Sequence, residues 1–307
     1  MGTPAFAIPP LEALHNKGHQ ILAVFCQPDR PAGRGRGLSF SPIKQRALEL
    51  GLTVHQPVTL KTLPTIQSIS NLRPEAFVVV AYGLKLPDDV LNIPQFGAIN
   101  LHPSLLPKYR GAAPINHALI NGDKVTGITS ILMNSRMDAG DMLLQEVVPI
   151  YPEENAGELE QRLGLLGAEL MARSLEVLRA GKYDPKKQDD SLATMAPKLL
   201  PADGHIDWIR TSLEIINRIR GVTPRPGAFT IFNGKRLEII KANIECEMPN
   251  TEKKPGQVVS VESKTGPIIK TGDGLIALLK VKPQGKREMS GEEFIRGYRP
   301  RPGEVLS

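Results

Sequence analysis

The residues of this sequence best suited to chemistry are an amide and an imidazole two positions apart. Asn100 and His102 lie in the stretch AINLHPSLLPKYRGAAPI, which begins at Ala98. Residues 98–102 have the composition of a short buried strand, and alternate residues of a strand share one face. Both polar side chains would therefore emerge on one face, just before Pro103 ends the strand. A satisfied buried histidine beside a capping asparagine is the alternative explanation.

A carboxylate comes from a second segment, GITSILMNSRMDAGDMLLQ, which predicts a strand followed by a polar loop with Asp138 and Asp141. A carboxylate at that edge would orient His102 and favour its cationic form. An amide, an imidazole and a carboxylate without a Ser or Cys nucleophile suit direct acyl-type transfer. Asn100 and His102 would donate to a developing oxyanion, and Asp138 would support proton movement. A plain turn is the alternative for this loop, because Asp and Gly favour turns.

Helices and strands alternate in the part of the chain that must position these groups. Leu159, Leu163, Leu166 and Leu170 are three or four positions apart, which predicts an amphipathic helix. Alternation of this kind predicts an α/β fold with a Rossmann-like, mostly parallel sheet, whose strand ends bind the ligand. The predicted helices cover 9–16, 42–50 and 156–180, and the predicted strands cover 21–25, 77–81, 98–102 and 127–133.

The chain changes character after residue 181. Residues 182–203 are polar, proline-bearing and aperiodic, which indicates a linker. One helix over 211–220 then precedes short strands separated by turn signals such as Asn233-Gly234, a pattern that favours a small barrel or sandwich. The sequence therefore predicts a domain at 1–181, a linker at 182–203 and a second domain at 204–307.

Composition sets limits on the compartment and the partners. The net charge is +6, and residues 201–307 hold 18 Lys and Arg against 13 Asp and Glu, a modest sign of a polyanionic partner. Alternatively, these basic residues only keep the protein surface soluble. The two cysteines are far apart and predict neither a disulfide framework nor a zinc site. The cysteine usage fits a reduced cytoplasm, and we expect no metal. No apolar run approaches the roughly 20 residues that span a bilayer, so we expect no membrane association.

The stretch DRPAGRGRGLSFSPIK, which starts at Asp29, is the part most typical of nucleic-acid binding. Its glycines allow a mobile backbone, and arginines can contact phosphates or stack on splayed bases. A solvated flexible loop is the alternative. GRGRGL is not a dinucleotide fingerprint, because Leu38 stands where the third glycine would be.

Six motifs occur in a fixed order along the chain: GTPAFAIPPLEAL, QPDRPAGRGRG with SPIK, VVVAYGLKLP, HPSLLPKYRGAAPI, MDAGDML and HIDW. With them the chain resembles the folate-dependent formyltransferases and, over nearly its whole length, the members that act on methionyl-tRNA. The resemblance implies a formyltransferase-type catalytic domain and a C-terminal OB-like β-barrel domain that binds tRNA. It implies transfer of a formyl group from 10-formyltetrahydrofolate to the methionine amino group of initiator methionyl-tRNA. We expect a monomer.

The resemblance also assigns residues. Asn100, His102 and Asp138 match the catalytic trio of the family. The folate-binding segment is matched by Ser104, Leu105, Leu106 and Pro107, and the pterin-pocket segment by Leu84, Lys85 and Leu86. Arg110-Gly111 and Ala113-Pro114 would shape the floor of the site.

The tRNA contacts implied by the resemblance come from two places. In the family, the loop that matches the Arg-Gly stretch wedges into the acceptor end of tRNA, and the C-terminal domain holds the inside of the tRNA. The resulting tRNA-binding candidates are Arg30, Arg34, Arg36, Lys286 and Arg287.

One departure from the family concerns the first residues. The family has a short apolar strand before GTP, in the middle of the sheet, whereas this chain begins at Met1-Gly2. Without that strand, backbone groups of its neighbours would lose their partners. We expect a misassigned start or a truncation, low stability of the 307-residue form, and a higher Tm when several apolar residues are restored.

Other functions stay open at this point. The same catalytic domain could formylate a small amine or hydrolyse formyltetrahydrofolate, although the Arg-Gly loop and the basic second domain argue against both. A non-catalytic RNA-binding protein is a third possibility. It would bind tRNA unaffected by His102→Ala and would transfer no formyl group.

Overall fold

The computed structural model describes residues 1–32, 37–181, 183–245, 252–261 and 265–307. Contacts divide the chain into two compact units. The first consists of Met1–Ala112, Val125–Pro149 and Glu160–Ala196, and the second of Ala113–Lys124, Ile150–Leu159 and Pro197–Ser307. The domain boundaries predicted at 181 and 204 stay a prediction. Among the described residues, no helix combines the length and the apolar character that a membrane crossing requires.

The four helices predicted from the sequence are confirmed, with ends that differ by at most two residues. The helices are α1 (Ile8–Asn16), α2 (Pro42–Glu49), α3 (Leu63–Asn71), α4 (Asp88–Leu91), α5 (Pro114–Ile120), α6 (Ala156–Arg179), α7 (Ser212–Val222) and α8 (Gly291–Tyr298). The strands of the first unit are β1 (Val24–Phe25), β2 (Arg30–Ala32), β3 (Gly37–Ser39), β4 (Val54–His55), β5 (Phe77–Val79), β6 (Ala98–His102), β7 (Val125–Leu132) and β8 (Asp141–Pro149). Those of the second unit are β9 (Ala228–Phe232), β10 (Lys235–Glu245), β11 (Val258–Ser260), β12 (Ile268–Lys270), β13 (Leu275–Pro283) and β14 (Met289–Ser290).

Parallel pairing runs through one side of the first unit, as the sequence predicted. β1 pairs parallel with β4, and β5 pairs parallel with β6. Gly2 forms a parallel bridge to Val80 and donates its backbone N–H to the carbonyl of Phe25 at 2.9 Å. Met1 and Gly2 therefore lie between β1 and β5, and β6 occupies an interior position with all five residues buried.

The other side of the sheet is antiparallel, which the sequence did not predict. β7 pairs antiparallel with β6, and β8, which had no predicted counterpart, pairs antiparallel with β7. The connection between them, residues 133–140, is too short for the crossover that a parallel pair needs. The loop of this hairpin follows Leu132, which pairs with Ile99 near the start of β6, and the loop carries Asp138.

A cavity of about 410 Å³ in the first unit is lined by residues of both β1 and β5. The amino group of Met1 is buried beside it and donates to the carbonyl of Val78 at 2.7 Å. Burial lowers the pKa of this amino group to about 5. Residues 21–23, predicted as the start of a strand, line the cavity instead of joining the ladder of β1.

We expect a version of the chain with about five apolar residues added before Met1 to melt at a higher temperature. The added residues would cover apolar cavity walls and replace a buried amine by a peptide group. Because the pKa of the Met1 amine falls from 8.0 to about 5 on folding, the 307-residue form loses stability as pH falls from 8 to 5, by up to about 4 kcal/mol. Thermal melts of both versions at pH 8 and pH 5.5 test this, and equal Tm values would contradict it.

The second unit contains a six-stranded antiparallel sheet in the order β11-β12-β13-β10-β9, with β14 paired to β13. The last residues of the chain join its two edges. At the β11 edge, Val258 donates to the carbonyl of Glu304 at 2.8 Å. At the β9 edge, Ile231 and Ser307 exchange backbone hydrogen bonds of 2.6 and 3.0 Å. The last residues thus connect the two edges of the sheet, in keeping with the OB-like β-barrel that the family resemblance implies.

The core of the second unit contains residues of α7 and of this sheet. α7 begins with a capping box in which Thr211 and Glu214 satisfy each other's backbone N–H groups, as the pattern TSLE predicts. The fully buried apolar residues include Ile215, Ile219, Val222, Leu237, Ile239, Val258, Ile276 and Leu278. α5 packs on α7 at Gly221, where a Cβ would come within 2.5 Å of Ile120.

Candidate active site

Two polar side chains lie on β6 where it approaches its end. Asn100 is 9% exposed and His102 is 4% exposed. Their neighbours Ile99 and Leu101 are apolar and buried. Within the described part of the chain, the carboxamide of Asn100 has no side-chain hydrogen-bond partner. Its donor groups are therefore available to a bound substrate.

Each ring nitrogen of His102 faces an oxygen atom, but only Nε2 makes a hydrogen bond. Nε2 lies 2.9 Å from the carbonyl oxygen of Tyr109, and Nδ1 lies 3.7 Å from Oδ1 of Asp138. A carbonyl can only accept, so Nε2 carries the proton and donates it to Tyr109. In the neutral ring, Nδ1 therefore carries the lone pair and is the nitrogen able to take a proton.

The charge of His102 differs from the sequence expectation. Burial lowers the pKa of the imidazole, while the charge of Asp138 and the hydrogen bond to Tyr109 raise it by less. The ring is thus neutral in the resting site, because desolvation of the cation outweighs the attraction of one carboxylate. His102 can act as a donor from Nδ1 only after it has taken a proton.

Asp138 occupies a tight position in the loop before β8. Its backbone has a φ of 49°, in the left-handed region that Asp tolerates better than most residues. Its Oδ2 accepts a hydrogen bond from the backbone N–H of Gly111 at 2.9 Å. This bond ties the loop that carries the carboxylate to the segment after His102.

Gly111 has no acceptable replacement in this arrangement. Its φ is 124°, and a Cβ would come within 2.6 Å of the carbonyl oxygen of Ala196. Side chains other than hydrogen are therefore excluded by both conformation and space. The Arg-Gly pair seen in the sequence thus places a bare backbone N–H against Asp138.

The segment 104–107 is fixed by buried hydrogen bonds. Thr129, which is fully buried on β7, donates to the carbonyl of Ser104 at 2.7 Å and accepts from the N–H of Leu106 at 3.3 Å. Gln145 on β8 donates to the carbonyl of Leu106 at 3.1 Å. The side chains of Ser104 and Leu106 are buried, so backbone groups and the half-buried Leu105 and Pro107 are what this segment can present to a ligand.

Two family models cover most of the chain. Residues 1–175 match the model described as formyl transferase, and residues 198–299 match the model described as formyl transferase, C-terminal domain. The chain belongs to the formyl transferase family.

Curated members of the formyl transferase family resemble the chain from end to end. It is 44% identical over 307 residues to a methionyl-tRNA formyltransferase of Caldanaerobacter subterraneus subsp. tengcongensis, covering 100% of this chain and 98% of that relative. It is 43% identical over 306 residues to a methionyl-tRNA formyltransferase of Geobacter sulfurreducens, covering 100% of this chain and 95% of that one.

Solved structures share the fold at low identity. WlaRD, a sugar 3N-formyl transferase crystallised with dTDP and 5-N-formyl-THF, superposes with a TM-score of 0.66 at 19% identity, covering 93% of this chain and 97% of that one. HypX from Aquifex aeolicus in complex with tetrahydrofolic acid gives a TM-score of 0.59 at 19% identity, covering 81% of this chain and 44% of that one. At this identity the likeness concerns the fold alone.

In this formyl transferase, the segment predicted to line a pterin pocket is partly core. Leu86 is 2% exposed and packs in a cluster with Phe25, Leu60 and Val90. Leu84 is half-buried at the edge of the same cluster, and Lys85 is exposed. The side chain of Leu86 therefore supports the segment, and a ligand there would meet Leu84, Lys85 or the backbone.

The residues predicted to contact tRNA are only partly described. Arg30 is exposed in β2, where it donates to Oε1 of Gln27 at 3.0 Å. Arg34 and Arg36 lie outside the described residues. Lys286 and Arg287 are exposed in the turn between β13 and β14, and Arg287 approaches Oε1 of Glu293 at 3.4 Å.

Several residues that organise the site were missed in the sequence. Gln188 and Thr194, from the segment predicted as a linker, bond to the loops of Asp138 and Tyr109. Thr129 and Gln145 hold the segment 104–107. No local sequence pattern predicts their role, because each bonds to a backbone carbonyl or N–H that is distant in the sequence. Among the described residues, no cluster of three His, Cys, Asp or Glu has the arrangement of a metal site.

Proposed function

We propose that the chain transfers the formyl group of 10-formyltetrahydrofolate to the amino group of methionine on initiator methionyl-tRNA, giving formylmethionyl-tRNA for translation initiation. The observation that carries this proposal is the His102–Asp138 pair, 3.7 Å apart, beside an unpartnered Asn100. The end-to-end similarity to methionyl-tRNA formyltransferases supports the choice of acceptor. The folate donor is in keeping with a fold neighbour solved with tetrahydrofolic acid.

In the proposed reaction, the methionine nitrogen attacks the formyl carbon and its surplus proton passes to Nδ1 of His102. The resulting imidazolium is stabilised by Asp138, and Nε2 stays bonded to the carbonyl of Tyr109. The bond between the formyl carbon and N10 of the folate then breaks, and the proton moves from His102 to N10. No covalent formyl-enzyme forms, because the methionine nitrogen attacks the formyl carbon directly.

Asn100 would stabilise the oxyanion of the tetrahedral intermediate. Its carboxamide donors are not used by any described residue, so they are free to point at developing negative charge. Donors aimed at an oxyanion in a buried site are worth much more than in water. Asn100 would thus supply the electrostatic stabilisation while His102 supplies the proton transfer.

The folate would lie against the segment 104–107 and the segment 84–86, mainly through backbone groups. The tRNA acceptor end would lie against the Arg-Gly loop with Arg30, Arg34 and Arg36, and the basic second unit with Lys286 and Arg287 would contact the body of the tRNA. The chain would work in the cytoplasm, as a monomer and without a metal.

The deciding experiment is incubation of the purified chain with 10-formyltetrahydrofolate and methionyl-tRNA, with formylmethionine measured after deacylation. Free methionine and glycinamide ribonucleotide serve as competing acceptors, and release of formate is followed in parallel. Formyl transfer only to the tRNA-borne methionine is expected. Transfer to a small amine, formate release without an acceptor, or tRNA binding without transfer would each assign the chain to another of the functions considered above.

Removal of the loop charges is expected to weaken the use of tRNA. Arg34→Ala combined with Arg36→Ala should raise the KM for methionyl-tRNA on the order of tenfold. It should also make the slope of log kcat/KM against log salt concentration shallower by roughly two, one for each lost phosphate contact. Initial rates at several KCl concentrations measure both effects. Lys61→Ala, an exposed lysine before α3, is the matched control. Unchanged kinetics on tRNA in the double variant would show that the loop assignment is wrong.

A further inference from the structure

A short segment at the end of the first unit, residues 186–196, which we call the strap, connects the loops that carry the catalytic candidates. At one end, Lys186 and Met142 exchange backbone hydrogen bonds of 2.9 and 2.8 Å. At the other end, Arg110 donates to the carbonyl of Thr194 at 2.8 Å and accepts from the N–H of Ala196 at 2.7 Å. The strap is therefore fixed both to β8, which follows Asp138, and to the loop that follows His102.

Gln188 lies in the strap between these two attachments, and its carboxamide is fully used. Nε2 donates to the carbonyl of Asp138 at 2.8 Å and to the carbonyl of Gly140 at 2.7 Å. Oε1 accepts from Nε and Nη2 of Arg110 at 3.0 and 2.8 Å. The orientation of the amide follows from these partners, because guanidinium N–H groups only donate and carbonyls only accept.

Arg110 continues the network away from the site. It is 8% exposed, and its Nη2 also lies 2.8 Å from Oδ1 of Asp190, which in turn pairs with Arg136 at 3.0 Å. The backbone next to Arg110 holds the other half of the site, since Gly111 donates to the Asp138 carboxylate and Tyr109 accepts from His102. One amide thus joins the loop of the carboxylate to the loop that orients the imidazole.

We propose that Gln188 is a positioning residue for formyl transfer: by donating to the carbonyls of Asp138 and Gly140 and accepting from Arg110, it sets the distance between Asp138 and His102. This inference rests on the proposed function for its kinetic consequence. The loop needs such support because Asp138 has a positive φ and Gly140 has no room for a Cβ, which would come within 1.8 Å of the carbonyl oxygen of Leu132. A shift of about 1 Å at a reacting group can cost on the order of a hundredfold in rate.

Two variants distinguish a role of Gln188 in positioning the Asp138 loop from a role in holding only the side chain of Arg110. Gln188→Ala removes all four hydrogen bonds. Gln188→Glu keeps the shape and the acceptor for Arg110 but cannot donate to the carbonyls of Asp138 and Gly140. Lys187→Ala, an exposed neighbour in the strap, is the matched control. Single-turnover rates with saturating substrates, KM values and Tm are measured for each variant.

A second readout does not depend on activity. Among the described residues, the charged group that acts on the imidazole of His102 is Asp138. If Gln188 holds Asp138 near the ring, Gln188→Ala moves the carboxylate away and lowers the pKa of His102. An NMR titration of the histidine side chains in the wild-type chain and in Gln188→Ala measures this shift, with His102→Ala used to assign the signal.

The expected result is a single-turnover rate about thirtyfold lower in both Gln188 variants, KM values within about threefold of wild type, a lower pKa of His102 in Gln188→Ala, and no change in Lys187→Ala. A wild-type rate in Gln188→Glu, or an unchanged His102 titration in Gln188→Ala, would overturn the inference. Failure of the wild-type chain to transfer formyl groups would overturn the proposed function instead, and the titration would still decide the role of Gln188.

Discussion

His102→Ala is expected to lower the single-turnover rate of formyl transfer by roughly 10²- to 10⁴-fold while methionyl-tRNA binding changes little. The imidazole is neutral in the resting site because burial lowers its pKa, and Nδ1 is the nitrogen left to take the proton of the attacking amine. Alanine removes that acceptor, and no other described base lies against Asp138. Rapid-quench measurements with preformed complexes give the rate, and filter binding gives the affinity.

The control for this experiment is His117→Ala. His117 on α5 also has Nε2 close to a backbone carbonyl, 3.0 Å from that of Pro197, but it belongs to the second unit and has no role in the proposed reaction. It should keep the wild-type rate. A His102→Ala variant that retains its Tm and transfers formyl groups at more than a tenth of the wild-type rate would exclude His102 as the proton acceptor.

Asp138→Asn is expected to lower the rate about a hundredfold and to change the pH dependence. Asparagine preserves the shape and an acceptor for the N–H of Gly111 but removes the charge 3.7 Å from Nδ1 of His102. Because that charge raises the pKa of His102, the pKa should fall in the variant. The rate requires the neutral imidazole and so rises with pH through this pKa, which places the rise at lower pH in Asp138→Asn and leaves the plateau lower.

A double variant tests whether the two groups act as a unit. If Asp138 works through His102, His102→Ala with Asp138→Asn should be about as slow as His102→Ala alone, since the effects of such groups do not add. Rate profiles between pH 5.5 and 9 for the wild-type chain and for Asp138→Asn complete the test. Identical profiles, or losses that multiply in the double variant, would show that the carboxylate acts independently of the imidazole.

The sequence predicted the parts of the site that burial makes periodic. Residues 98–102 form the expected strand because an interior strand must bury both faces, and Asn100 and His102 stand out as the polar exceptions. The spacing of the leucines predicted α6, because residues on its buried face recur every three or four positions. Leu159, Leu163 and Leu170 are fully buried. Buried positions that recur at regular spacing can be recognised in the sequence, and this was sufficient to predict β5, β6, β7 and α6.

What stayed hidden depends on contacts between distant residues. β8 was missed because most of its residues are partly exposed, so apolar and polar positions do not alternate clearly along residues 141–149. Gln188 was part of an aperiodic polar segment, and only the folded chain brings its amide to Asp138 and Arg110. The neutral state of His102 was also missed, because the sequence shows a carboxylate partner but not the depth of burial that outweighs it.

The pairing of the last residues with both edges of the second sheet has a consequence during synthesis. Strand edges with unpaired backbone groups are templates for association between chains. Here the edge of β11 at Val258 and the edge of β9 at Ile231 stay open until Glu304 and Ser307 have left the ribosome, although Phe229 of β9 already accepts a hydrogen bond from Ile206. A nascent chain that stalls before residue 303 would therefore expose unpaired backbone groups at both edges, which Glu304 and Ser307 cover in the folded chain.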